Sequence, residues 1–202
     1  MIAALLAALF FGCIAFIATQ TSASVCRNIT PADDGPQTSK PPYAVLVVAA
    51  AVLGGIFVAL HTPPLELGIA AIVIFALVAC WCSDALCGFL PDAFTLGPLA
   101  AILLFAFAQR DWEIIVSAAI IFVPFAAAAL FSRGLGMGWG DAKLVALTGA
   151  ALGAPLGAVA LAVACVAAVV VHRFTGARNS PIAFAPYIAA LTGAALPLGL
   201  TH

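Results

Sequence analysis

The chain holds eight acidic residues, and two of them, Asp84 and Asp141, stand where solvation alone explains an acid least well. Each lies at the junction between a long apolar run and a short polar stretch, and a carboxylate at membrane depth is costly enough to point to function. Around the second acid the chain reads Gly134-Leu-Gly-Met-Gly-Trp-Gly-Asp141-Ala-Lys143-Leu. Glycines at 138 and 140 keep side chains away from the acid, which leaves room for a substrate backbone. Asp141 is placed as an N-cap or first-turn acid, where the helix dipole favours its charge, although an ordinary glycine loop with a capping Asp accounts for the same pattern. Asp84 follows the third apolar run, where a helix C-terminus disfavours a negative charge and no capping role explains it. A few residues on, Pro91 suits the first turn of a helix, and Asp92, favoured there by the dipole alone, is the second choice for a catalytic acid. Two carboxylates brought together share a proton and titrate as a pair, so one can act as base on a water while the other polarises a carbonyl. That is the chemistry of peptide hydrolysis without a metal.

The elements that must position these acids are membrane helices. Hydrophobic residues make up 65% of the chain and charged ones 7%, and the mean hydropathy is +1.23. A soluble domain carries roughly a quarter of its residues charged, so this composition excludes one. The apolar runs are long and do not alternate, which predicts an all-α, polytopic transmembrane helical bundle rather than a barrel. With about 17–20 residues needed per crossing, segments are expected at Ile2–Ala18, Tyr43–Leu60, Leu65–Cys82, Ala93–Ala108, Glu113–Phe131, Asp141–Leu152, Leu156–Val171 and Ala183–Leu200. These are eight segments, the sixth short, with a break at Gly153-Ala154-Pro155. The polar stretch Thr19–Pro42 reads as a flexible loop, which divides the chain into an N-terminal anchor helix and loop (1–42) and a catalytic membrane domain (43–202). The first run lacks a basic residue at its start and reads as a retained anchor rather than a signal peptide. His172–Pro181 holds Arg173 and Arg178 with no acid, which places that loop in the cytoplasm and, threading back, Cys82–Asp92 and Ser132–Asp141 with it.

Other chemistries have little support. The six cysteines (Cys13, Cys26, Cys80, Cys82, Cys87, Cys165) form no CxxC pair and read as small apolar side chains between helices. His61, His172 and His202 fall at predicted helix ends as interface residues, so neither a metal nor a cofactor is expected. A net charge of -1 without a basic cluster offers nothing to nucleic acid.

Three segments carry a specific resemblance. Asp84 followed by Leu90-Pro91-Asp92-Ala-Phe-Thr-Leu resembles the first aspartate motif of type IV prepilin peptidases. Gly138-Trp139-Gly140-Asp141-Ala142-Lys143-Leu144 is similar to that family's GxGD motif with its following lysine, and Pro181-Ile-Ala-Phe-Ala-Pro-Tyr187 to the start of its last helix. The resemblance covers Tyr43 to the C-terminus. It implies a membrane aspartyl endopeptidase with Asp84 and Asp141 as the catalytic pair. Gly138, Gly140, Pro91, Asp92 and Lys143 would lie about the substrate, Lys143 meeting either a substrate acid or a lipid phosphate, or else snorkelling to the headgroups. The substrate implied is a prepilin or pseudopilin, with a basic leader cut after Gly and an apolar helix lying in the bilayer. The site would face the cytoplasm at the bacterial inner membrane. Fuller members of the family carry two CxxC pairs after the first helix, associated with N-methylation. Thr19–Pro42 is short and has only Cys26, so the chain looks like the peptidase-only members serving Flp/Tad-type pili. A proton-coupled transporter, a non-enzymatic scaffold of a pilus machine, and a preflagellin- or presenilin-like GxGD protease are the rival readings. A transporter would place its acids near the bilayer midplane within paired repeats, whereas Asp84 and Asp141 fall at helix ends on one side.

Overall fold

The computed structural model describes residues 2–29, 41–131, 138–174 and 183–199, and all the regular structure among them is helical. In chain order the helices are α1 (Ile2–Ile29), α2 (Tyr43–Ala59), α3 (Pro64–Cys87), α4 (Asp92–Gln109), α5 (Trp112–Phe131), α6 (Trp139–Phe174) and α7 (Ala185–Gly199). Five of them, all but α2 and α7, are long and apolar enough to cross a bilayer. Outward-facing Leu, Val, Ile and Phe side chains stay exposed on most of these helices, as expected of a polytopic bundle whose solvent is lipid.

The expected eight segments appear as seven elements because the sixth and seventh are joined in α6. The break is where the sequence placed it. Gly153 has φ 73 and ψ 165, a conformation that favours glycine, and Pro155 follows it. The chain turns back on itself there: a Cβ added to Gly157 would lie 3.6 Å from the Cα of Gly149. Gly149 is packed as tightly on the other side, since a Cβ there would come within 2.9 Å of both the Ile121 Cβ and the Ser117 carbonyl of α5. Small residues thus let α5 and the two arms of α6 approach closely, as membrane helices do when no hydrophobic drive separates protein from lipid.

The loop expected from Thr19 begins too early. Residues 19–29 continue α1, because their hydroxyls find partners on helical carbonyls and no longer compete with the helix. Thr19 donates to the Phe16 carbonyl at 2.7 Å and Thr21 to that of Ile17 at 2.8 Å. Ser22 reaches across to α3, 3.2 Å from the Ala79 carbonyl and 2.8 Å from the Ser83 hydroxyl. Residues 30–40 of that expected loop lie outside the described residues. Likewise His172 and Arg173, assigned to a loop, form the last turn of α6, where positive charge suits the helix C-terminus. α3 also runs further than expected, to Cys87, so Asp84 sits inside its last turn rather than in the connection that follows.

The bundle core is built on α3, whose residues from Ala70 to Ala85 are mostly buried, and it is closed by α1, α6 and α7. α2 packs almost wholly on α1 and touches α3 and α7 only sparsely. Between α2, α3 and α7 a lateral apolar cleft of about 440 Å³ therefore remains, lined by Leu46, Ala50 and Leu53 on one side and Leu77, Trp81, Ala189 and Gly193 on the other.

Candidate active site

Both aspartates are held at the same end of the bundle, each by a different local device. At the end of α3, Gly88 is left-handed (φ 61, ψ 22) and its N–H donates to the Asp84 carbonyl at 2.9 Å. This glycine C-cap ends the helix one turn after Asp84 and turns the chain toward Leu90 and Pro91. Asp84 is buried, with 7% of its surface exposed. Its carboxylate Oδ2 accepts the backbone N–H of Ala185, the first residue of α7, at 3.2 Å.

Asp141 is the third residue of α6 and partly buried. Its carboxylate folds back to accept the N–H of Gly138, just before the helix, which is the side-chain half of a capping box. The two acids are within each other's electrostatic reach: the Asp141 charge acts on Asp84, and the buried Cys80 thiol feels both carboxylates.

Two of the remaining sequence-predicted residues do other work than expected. Lys143 Nζ lies 2.5 Å from Asp92 Oδ1, so both find a partner within the chain, and the lysine ties the start of α6 to the start of α4. Gly140 does not leave open room: a Cβ there would stand 2.9 Å from the Leu90 Cβ. Its smallness is used by Leu90, a buried side chain just ahead of Pro91 and Asp92. Gly138 does leave space, since the nearest atom to an added Cβ would be Asp141 Oδ2 at 3.6 Å. Pro91 is the buried N-cap of α4, and Asp92 is exposed in its first turn. Residues 132–137, including Gly134 and Gly136 of the glycine run, lie outside the described residues, as do Pro181, Ile182 and His202.

Four contributing residues escaped the sequence reading. The Ala185 N–H was the most legible of them: helix starts leave donors unbonded, and Pro186 marks this start. Leu90 was quoted only as part of a motif. Ser22 and Ser83 tie α1 behind Asp84, and no local signal distinguished them from other helix serines. Among the described residues, no three His, Cys, Asp or Glu side chains converge as metal ligands would.

The sequence profile of the type IV leader peptidase family matches residues 70–172, a span that contains both aspartates, Leu90-Pro91-Asp92 and Lys143. No match was found among curated proteins or among solved structures.

Proposed function

We propose that this chain, which belongs to the type IV leader peptidase family, is a membrane aspartyl endopeptidase that removes leaders from prepilin-type precursors with Asp84 and Asp141. The observation that carries this reading is that two acids from separate helices, each accepting a backbone N–H, lie within electrostatic reach of one another at one end of a membrane bundle. Among the described residues neither acid forms an ion pair, and Lys143 is engaged by Asp92.

In the proposed reaction one carboxylate is ionised and the other protonated. The ionised one takes a proton from a water held between them as the water oxygen attacks the scissile carbonyl carbon. The protonated one donates to the carbonyl oxygen, which stabilises the tetrahedral intermediate. Collapse of the intermediate breaks the C–N bond as the proton taken from water passes to the leaving amine and a hydroxyl proton of the intermediate returns to the carboxylate that had donated one. A carboxylic acid and an amine result, and the pair returns to its starting state.

The cleft between α2, α3 and α7 supports a substrate with an apolar segment beside its cut. Trp81 of the cleft lies one helical turn before Asp84, and Ala189 one turn after Ala185. A chain whose scissile bond rests on the acids would continue along this apolar wall into the bilayer. The stretch Thr19–Pro42 is short and holds only Cys26, which fits the Flp/Tad-type members. The arginine-bearing end of α6 supports a site at the cytoplasmic face of the inner membrane.

The test is to incubate the purified protein in lipid with a leader-bearing Flp-type precursor and to read the products by mass spectrometry. Cleavage at one bond by wild type, and none by Asp84→Asn or Asp141→Asn at equal membrane abundance, is expected. Persistent cleavage by either variant overturns the pair as assigned, and Asp92 becomes the next acid to examine. Failure of wild type on several such precursors favours the transporter or scaffold readings.

A further inference from the structure

The two acids sit on α3 and α6, and α7 packs against both of these helices, as α4 does. The first N–H of α7 is spent on Asp84 of α3. Two turns further on, Thr192 meets Thr148 of α6, hydroxyl to hydroxyl at 3.0 Å in a buried position. Thr148 in turn donates to the Leu144 carbonyl at 3.2 Å, one turn after Asp141 on the same arm. Ala185, Ile188 and Leu196 are fully buried along this seam, so α7 is held against both neighbours by packing as well as by polar contacts.

At the start of a helix the first backbone N–H groups lack intrahelical acceptors and carry the positive end of the dipole. At α7 the Tyr187 and Ile188 N–H groups close on the Phe184 carbonyl, at 3.1 and 3.3 Å, and Pro186 has no N–H to offer. The Ala185 N–H is therefore the donor at this terminus that is aimed at the buried acid.

We propose that the Ala185 N–H is a positioning group for the reaction. By occupying Asp84 Oδ2 it fixes the carboxylate's rotation and leaves Oδ1 as the oxygen that works with Asp141 and the water. This rests on the peptidase reading of the pair and adds to it a third element of the site, α7. A backbone donor does this without a side chain, which is why no residue type at position 185 announces it. The fully buried Ala185 methyl has a packing role separable from the N–H.

Removing the N–H alone separates the two roles. Ala185→Pro deletes the donor at the helix position that best tolerates proline. Replacing Ala185 by lactic acid exchanges the N–H for an ester oxygen at nearly constant shape. Ala185→Gly keeps the N–H and deletes only the methyl. A hydrogen bond to a charged group supports an effect of about 10- to 100-fold. The expected result is that kcat on a leader-bearing precursor falls by that factor in the proline and ester proteins, with KM and membrane abundance held, and falls by distinctly less in Ala185→Gly. The Asp84 carboxylate band, isolated by infrared difference against Asp84→Asn, should move in the ester protein and hold in Ala185→Gly.

An ester protein with wild-type kcat and an unmoved band overturns the proposal. So does a loss equal in Ala185→Gly and the ester protein, because the methyl would then be the group that matters. If the band moves but wild type cuts no precursor, the hydrogen bond stands and the peptidase reading is what fails.

Discussion

Gly140→Ala is the change that best separates the two accounts of the glycines before Asp141. If they exist to admit a substrate backbone, alanine at either position should obstruct binding. The structure assigns them different work. At position 140 the new Cβ would be 2.9 Å from the Leu90 Cβ and 3.5 Å from its Cδ1. Carbon atoms rest about 3.5–4.0 Å apart, so the starts of α4 and α6 must separate by roughly 0.5–1 Å. Leu90 is buried and its Cβ cannot swing away. Overpacking of this kind costs about 1–3 kcal/mol, and alanine in a helix regains up to roughly 1 kcal/mol over glycine. A net loss near 1 kcal/mol lowers Tm by about 2–4 °C in a chain of this length. Catalysis should suffer more, because Asp141 is the next residue and a displacement of about 1 Å can cost on the order of 100-fold. Gly138→Ala should leave Tm unchanged, since its Cβ meets nothing closer than Asp141 Oδ2 at 3.6 Å. The assay is precursor cleavage under saturating and subsaturating conditions, alongside thermal unfolding of the purified protein in detergent. Gly140→Ala is expected to lower kcat about 10- to 100-fold with little change in KM. A Gly140→Ala protein of wild-type Tm whose loss lies wholly in KM would refute the packing account and restore the substrate-room reading.

The Lys143–Asp92 pair predicts a charge-swap rescue: Lys143→Asp and Asp92→Lys each lower cleavage by setting like charges together, and the double exchange recovers most of it. Because Asp92 is exposed, the losses should shrink as salt is raised; an unrecovered double exchange would show that one of the residues acts on its own. Filling the cleft by Ala190→Trp or Gly193→Leu should raise KM several-fold for a precursor carrying its apolar segment and leave a short soluble leader peptide unaffected, whereas equal effects on both would remove the cleft from substrate binding. Ser22→Ala leaves the buried Ser83 hydroxyl without its 2.8 Å partner and should cost about 1–3 kcal/mol. Adding Ser83→Ala should cost less than the sum of the singles by thermal unfolding, and strict additivity would mean the pair is not coupled.

The bundle was legible because composition and run length leave a chain so poor in charge few other ways to fold. Even the bend in α6 could be placed, since Gly153 and Pro155 are local determinants of backbone direction. The ends of α1 and α3 were not, because propensity and polarity describe a segment alone. Thr19, Thr21 and Ser22 look like loop residues until their hydroxyls are paired with carbonyls of their own helix and of α3. Within the site, residue types revealed the acids and the glycines. What Gly140 does was decided by Leu90, fifty positions away in the chain. Lys143 had several partners open to it in the sequence, and Asp92 emerged only when α4 and α6 were set side by side. The Ala185 donor belongs to the backbone, which a sequence does not distinguish from one residue to the next.

The central claim, that Asp84 and Asp141 work as one unit, is tested most directly by a double-mutant cycle on precursor cleavage, using Asp84→Asn, Asp141→Asn and the pair together. Residues that act as a unit are strongly non-additive. The account predicts that each single change abolishes cleavage down to the background of the double mutant, at equal membrane abundance. Residual cleavage in both single mutants, with losses that multiply in the double, would contradict it.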